Sequence, residues 1–290
     1  MKCYAVIVAY NPDTSTLIKL CESITLQNYL VVIIDNSENP ISSTLDDFDR
    51  YHVISLKENK GVAYAQNVGT RYAINEGAQV ISFFDQDSVI PADLLHKLVA
   101  PHEANKLVIT APVSIDKYNR IEYPSRVLND FGLPRDVYSA DKKELVPVDI
   151  VISSGITASA NVFNIAGMFD EDFFIDFVDT EWCLRCRKYG VLIIIVPDAI
   201  MEHSIGESSA KIGPFKSILH SPARTYYKTR NSILLVRKDV KILFALRQII
   251  SAVAHNLLLV FFAKQPLLHS KYYLLGILHG VLGITGKYQG

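Results

Sequence analysis

Over its first 110 residues the chain alternates apolar runs of strand length with longer runs of helical periodicity, and that alternation limits the folds open to it. The strand-like runs are Tyr4–Ala9, Val31–Asp35, Tyr51–Leu56, Val80–Phe84 and Leu107–Thr110. Between them the pattern predicts helices over Thr14–Gln27, Gly61–Glu76 and Pro91–Glu103, the last opening on a proline suited to a first helical turn. Strands joined by helices of this length form right-handed βαβ units, so the expected class is α/β with a mainly parallel, buried sheet. From about residue 112 to 149 the pattern dissolves into Pro, Asp, Tyr and Lys, which reads as a long irregular excursion of the kind that carries binding loops. Periodicity returns at Val148–Ser153, followed by helices near Val162–Gly167 and over Asp179–Tyr189, and a strand at Val191–Val196.

The ends of the strands carry the chemistry. Tyr10-Asn11-Pro12 follows the first strand and Asp35-Asn36-Ser37 the second. Asn59-Lys60-Gly61 follows the third and opens a helix carrying Asn67, Gly69 and Arg71, and Asp85-Gln86-Asp87-Ser88 follows the fourth. In a parallel sheet these turns converge on one edge, the place where open α/β sheets bind nucleotides. Each turn alone has a plain structural reading, Asp35-Asn36-Ser37 as a turn and Gly61 as a helix cap. In an extended Asp-x-Asp the two side chains point the same way, so Asp85 and Asp87 can meet one divalent cation and a diphosphate.

Taken together these residues resemble the family 2 inverting glycosyltransferases of GT-A fold. The likeness runs from about Tyr4 to Ser209 through the turns above, then Gly155, Gly167-Met168-Phe169-Asp170-Glu171, Phe173-Phe174, Asp179-Thr180-Glu181 with Arg185, and His203 with Gly206. Within that family Phe84-Asp85-Gln86-Asp87-Ser88 is most similar to the bacterial L-rhamnosyltransferases of O-antigen and rhamnolipid assembly. The resemblance implies a Rossmann-like nucleotide-binding mixed sheet flanked by helices. It implies a donor site of Tyr10, Asn11, Asp35, Asn59, Gly61, Asn67, Arg71, Asp85 and Gln86. It further implies an Mg²⁺ or Mn²⁺ ion on Asp87, with Asp85 and His203 completing its shell.

For the reaction itself it implies Asp179 as the base that takes the acceptor proton, with Glu181 as the rival acid and Trp182 as an acceptor-sugar platform. The family usually writes Glu-Asp ahead of this helix, and here Val178 stands in the Glu position, which leaves Asp179 and Glu181 both open. In a helix the two lie about 200° apart, so both cannot face one cleft. The processive Gln-x-x-Arg-Trp signature is absent, which points to single-sugar addition. The implied reaction moves L-rhamnose from dTDP-L-rhamnose to a hydroxyl of a lipid-linked glycan, a β-linked donor giving an α-rhamnoside. A transferase of another nucleotide sugar, such as a UDP-hexose, and a non-catalytic nucleotide-fold subunit are the alternatives.

The last 80 residues are different in kind. Residues 211–290 hold 12 Lys and Arg against one acid, Asp239, a net of +11, while residues 1–210 net −12. These basic residues are diluted among apolar runs, a composition suited to an anionic membrane face rather than to nucleic acid. Ile242–Ala263 carries one charge, Arg247, but also Gln248, Ser251, His255 and Asn256 in mid-segment, which favours a helix lying in the membrane surface over one that spans it. The expected division is a GT-A domain over residues 1–214 and a C-terminal basic, apolar helical extension over 215–290. Tyr226-Tyr227-Lys228-x-Arg230-Asn231 resembles a stretch found after the catalytic domain in rhamnosyltransferases, and is read as a diphosphate or lipid-phosphate contact. Four scattered cysteines make no disulfide framework, and Cys183-x-x-Cys186 reads as core. The chain opens on a strand with no signal-peptide core, so the expected location is the cytoplasmic face of the membrane, peripheral or shallowly inserted.

Overall fold

The computed structural model describes residues 1–41, 51–103, 107–116, 119–203, 209–212, 215–218, 221–263 and 265–290, with the side chains of residues 203–220 and of Phe262 outside the description. Along the chain it forms β1 (Cys3–Ala9), α1 (Thr14–Thr25), β2 (Leu30–Asp35), β3 (His52–Ser55), α2 (Val62–Asn75), β4 (Val80–Asp85), α3 (Leu94–Val99) and β5 (Val108–Asp116). There follow β6 (Ser125–Leu128), β7 (Pro134–Val137), β8 (Val146–Pro147), β9 (Thr157–Ser159), α4 (Ala160–Ala166), α5 (Val178–Lys188) and β10 (Leu192–His203). The chain ends with β11 (Ser209–Ile212), β12 (Phe215–Ile218), α6 (Pro222–Leu234), α7 (Ile242–Phe262) and α8 (Pro266–Leu282).

One sheet of order β3-β2-β1-β4-β9-β5-β10-β8 organises the molecule. β1 pairs in parallel with both β2 and β4, and β5 in parallel with β10, while β9 runs antiparallel between β4 and β5. The result is a mixed α/β sheet with helices against its faces, as expected. The strand order reverses between β1 and β4, so a crevice opens at their carboxyl ends. Two apolar clusters sandwich the sheet. One joins Val6, Val32, Phe83 and Trp182 on the α2 and α5 side, and the other joins Ile7, Leu17, Ile33 and Leu94 on the α1 and α3 side. At Gly69 a Cβ would lie 2.4 Å from Val6 Cγ1, so a side chain there would push α2 off β1.

Three details depart from the sequence reading. The irregular excursion contains the β6–β7 hairpin, and β5 runs on to Asp116. The periodic stretch Val148–Ser153 forms no regular element; short β8 ends before it and β9 begins after it, where the chain crosses from the sheet's edge back between β4 and β5. The division expected after residue 214 falls between β11 and β12, which pair with each other, and the helical part starts only at Pro222. Cys3, Cys21, Cys183 and Cys186 are free and buried, and burial pushes the Cys186 thiol up to about 12.

Candidate active site

A cleft of about 460 Å³ opens at the carboxyl end of β4, a size fit for a small ligand. It is lined by Asp85 and Asp87 after β4, by Ser153 and Ser154, by Asp176, Phe177, Val178 and Asp179 at the head of α5, and by Arg224 of α6. Asp87 is exposed, and among the described residues its carboxylate makes no hydrogen bond or ion pair. The backbone bridge between Val89 and Glu202 brings the end of β10 beside this turn. His203 ends that strand opposite Asp116, but its side chain, like Gly206, lies outside the described residues.

Asp179 sits in the first turn of α5, half-buried. Its Oδ2 accepts from the Ser153 N–H at 3.1 Å and its Oδ1 from its neighbour Thr180 N–H at 2.7 Å. Burial pushes its pKa above the ordinary carboxylate value, and the charge of Asp176 adds to that, against the pull of the two N–H groups. A carboxylate raised in this way and fixed in a cleft with two other acids is suited to proton abstraction.

Glu181 faces the other way. Only 4% exposed, it binds Arg185 through two parallel contacts, Nε–Oε1 at 2.8 Å and Nη2–Oε2 at 2.9 Å, and Arg185 in turn donates to the carbonyls of Ala166 and Met168. The catalytic expectation for Glu181 is therefore corrected: it anchors α5 to the loop before it. Trp182 is corrected too. It is fully buried, donates to the Gly167 carbonyl at 3.0 Å and stacks on Phe163, so no sugar reaches it. Phe177 is the aromatic that lines the cleft.

Several expected donor ligands prove to shape the site instead. The side chain of Gln86 accepts from the Tyr10 N–H at 2.6 Å and donates to the Tyr10 carbonyl at 3.2 Å, tying the ends of β1 and β4 together at the crevice. Asn11, with φ 44°, donates its N–H to Ser37 Oγ at 2.8 Å. Asp35 is 1% exposed, and its oxygens accept from the Ser37 and Ile41 N–H groups, which turns the carboxylate to the backbone rather than to a ligand. Asn59 Oδ1 accepts from the Gly61 N–H and from Asn36, and Asn36 accepts from the Lys60 N–H, so this pair of asparagines sets the turn into α2.

α2 holds the loop that carries the base. At Gly61, with φ 88°, a Cβ would stand 2.5 Å from the Phe174 carbonyl oxygen, and the next N–H, of Val62, donates to that same oxygen at 2.8 Å. Asn67 is buried and grips both the N–H and the carbonyl of Phe169 at 2.9 Å. Arg71 lies a turn further along, half-exposed and 3.8 Å from Glu171, well away from the cleft. Gly61, Asn67 and Arg71, expected in the donor site, thus contact residues 169–174 in this structure.

Sequence reasoning missed Asp176, Arg224 and the true role of Asn231. Asp176 and Phe177 both have left-handed backbones, φ 65° and 66°, a costly conformation for residues with side chains. Asn231 Nδ2 holds the Ile175 and Asp176 carbonyls at 2.7 and 3.0 Å, and Arg224 Nη2 meets the Asp176 carboxylate at 3.0 Å. Two adjacent left-handed residues with side chains leave no mark in the sequence. Tyr226, Arg230 and Asn231, read as phosphate contacts, are 1%, 0% and 0% exposed, so that reading fails for them. Among the described residues no group of three or more His, Cys, Asp or Glu is gathered closely enough to hold a metal ion. The two carboxylates of Asp85 and Asp87 still fit an Mg²⁺ or Mn²⁺ ion, which commonly takes one or two protein carboxylates and fills its shell with substrate phosphates.

Residues 4–158 match the family described as Glycosyl transferase family 2. Over 285 residues the chain is 40% identical to the dTDP-rhamnosyl transferase RfbF of Shigella flexneri, covering 98% of this chain and 96% of that one. It is 25% identical over 185 residues to the low-salt glycan biosynthesis hexosyltransferase Agl10 of Haloferax volcanii, 61% of this chain and 60% of the relative. Among solved structures the fold is similar to S. aureus TarS 1–349 in complex with UDP-GlcNAc, with a TM-score of 0.60 at 15% identity over 98% of this chain and 82% of that one. It is similar as well to GalNAc-T7 with UDP, GalNAc and Mn²⁺, with a TM-score of 0.60 at 15% identity over 80% of this chain, which spans 51% of that longer one. The family match spans β1 through Asp85-x-Asp87, the relative at 40% identity spans almost the whole chain, and the chain belongs to the family 2 glycosyltransferases.

Proposed function

We propose that the protein transfers L-rhamnose from dTDP-L-rhamnose, with inversion, to a hydroxyl of a lipid-linked cell-surface glycan of O-antigen type. The observation that carries the reading is the cleft lined together by Asp85, Asp87 and Asp179. Inversion needs such groups in one site, one set stabilising the leaving diphosphate and another receiving the proton of the attacking hydroxyl. The choice of sugar rests on the likeness to a named dTDP-rhamnosyl transferase over almost the whole of both chains.

Asp179 is the base. The Ser153 and Thr180 N–H groups fix its carboxylate, and its raised pKa matches a proton acceptor better than an ordinary surface acid. The Gln86–Tyr10 clamp and the Asn36–Asn59 turn form the floor on which the nucleotide lies. Asp87 and Asp85, with His203, would hold a divalent cation, which would supply Lewis-acid stabilisation to the departing diphosphate.

The reading places this action on the cytoplasmic face of a membrane, and the last two helices support the membrane contact. α7 contains a stretch, Ile242–Phe261, long and apolar enough to cross a membrane by length and composition. Gln248 and Asn256 are buried at 8% and 7% exposure beside Phe244, Ala245, Ala252 and Leu259, while Leu246, Ile250, Leu257 and Phe261 are exposed along with Arg247 and Ser251. α8 adds exposed Leu267, Leu274, Leu278 and Val281. An apolar outer face amid a net charge of +11 fits a helix pair resting in an anionic lipid surface.

A donor panel tests the whole reading. Purified protein is incubated with dTDP-L-rhamnose, UDP-hexoses and Mg²⁺, and nucleotide-dependent thermal shift and sugar release are measured. Preference for dTDP-L-rhamnose is the expected result. Preference for a UDP-sugar overturns the sugar, and no response to any donor overturns the enzyme.

A further inference from the structure

Lys228 stands out among the charges that the transfer chemistry leaves unused. It follows Arg224 by four residues on α6, so the two side chains rise from the same face of the helix, and Arg224 lines the cleft. Lys228 is only partly exposed and, among the described residues, forms no hydrogen bond or ion pair. The nearby charges are matched elsewhere: Arg224 with Asp176 at 3.0 Å, and Arg126, on β6, with Asp136 at 3.4 Å. Burial pushes the Lys228 ammonium down from its usual value, with Arg224 and Arg126 pushing the same way and Asp176 opposing them. An ammonium kept out of water without a partner is costly, and such a cost persists where a ligand supplies the missing charge.

The position of Lys228 says which ligand. α6, which carries Lys228, sends Arg224 into the cleft and packs against α7, where His255 feels the Lys228 charge. α7 exposes Leu246, Ile250, Leu257 and Phe261, so the helix that bears Lys228 joins the proposed lipid-facing surface to the cleft. The donor's diphosphate belongs with Asp85 and Asp87. We infer that Arg224 and Lys228 form a seat for the diphosphate ester of the lipid-linked acceptor, holding it where the sugar it carries reaches Asp179. This rests on the lipid-linked acceptor proposed above.

The test uses farnesyl diphosphate as the probe, with farnesol as the uncharged control, on the full-length protein in detergent with saturating dTDP and Mg²⁺. The expected result is that farnesyl diphosphate binds beside dTDP and farnesol does not. Lys228→Met weakens that binding at least tenfold, Lys228→Arg restores most of it, and dTDP affinity is the same in all three proteins. Lys228→Met also melts at a higher temperature than the wild type, because an unpaired charge has been removed. Competition between farnesyl diphosphate and dTDP, or a loss of dTDP affinity in Lys228→Met, would place these residues at the donor diphosphate and overturn the assignment. Equal binding of the probe by wild type and Lys228→Met overturns it as well. The donor panel responds to none of these outcomes, so a wrong donor and a wrong seat are told apart.

Discussion

Asp179 and Glu181 are two residues apart on α5 and face opposite ways. The first turns its carboxylate to the cleft and the Ser153 N–H, and the second turns inward to a bidentate contact with Arg185. Two residues of an α-helix span about 200°, so this separation is built into the helix. One acid does chemistry while the other fixes the helix that presents it.

Replacing Asp179 by Asn keeps the shape and removes the proton acceptor. The expected loss is about 10²–10⁴-fold in kcat, with dTDP affinity unchanged, measured by steady-state kinetics and calorimetry. Because burial raises the Asp179 pKa, kcat/KM of the wild type should fall as pH drops through a value above the ordinary carboxylate pKa of about 3.9. That acid limb should vanish in the variant. A wild-type profile flat down to pH 4 would remove Asp179 as the base.

Glu181→Ala should behave as a folding mutant. It leaves the Arg185 guanidinium, with its side chain 21% exposed, without its carboxylate, a change of about 3 kcal/mol in unfolding free energy. Urea denaturation measures the loss. Activity per folded molecule should stay within about threefold of wild type, far from the general-base scale. If it instead falls as far as in Asp179→Asn with stability intact, the two acids have been assigned the wrong way round.

Asp87→Ala should nearly abolish transfer, and EDTA should inhibit the wild type with Mg²⁺ or Mn²⁺ restoring it, since Asp87 offers exposed, unpaired oxygens at the cleft. Full activity in chelator would leave Asp85 and Asp87 with a role in positioning the nucleotide alone.

Gly61→Ala tests the support of the catalytic loop. Its φ of 88° strains any side chain, and the added Cβ meets the Phe174 carbonyl at 2.5 Å. The expected cost exceeds about 1 kcal/mol, and kcat should fall because Phe174 lies five residues before Asp179. Chemical denaturation and kinetics together read it, and a variant as stable and active as wild type would contradict the packing described.

For the membrane surface, Ile250→Glu with Phe261→Glu puts charge on the exposed face of α7. Sedimentation with anionic vesicles should show strong binding of the wild type, weakened in part by high salt, and a loss of about tenfold or more in the variant. Salt acts only on charge-held binding, over a screening length of about 8 Å at physiological ionic strength. Equal binding by both proteins would make this face an ordinary surface.

The sheet and the site's place in it were legible in the chain, because both depend on short-range order. Apolar runs of four to seven residues between helical runs dictate β1–β4, and a turn after each parallel strand must fall at one edge. Asp85-x-Asp87 could be placed at that edge because it follows the fourth apolar run, but Gln86 and Asp87 form a turn closed by Ser88 N–H to the Asp85 carbonyl rather than the extended segment read from the sequence. What each polar residue does there was decided by partners far along the chain. Asn67 grips Phe169, 102 residues away, and Gln86 grips Tyr10, 76 residues away. A buried polar side chain must find a hydrogen bond, and in this fold the backbone of a distant loop was the partner within reach, so residues read as donor ligands became supports. The choice between Asp179 and Glu181 had the same cause: helix geometry showed from sequence that they must part, and only the packing of Arg185 against the Ala166 and Met168 carbonyls decided which one turned inward.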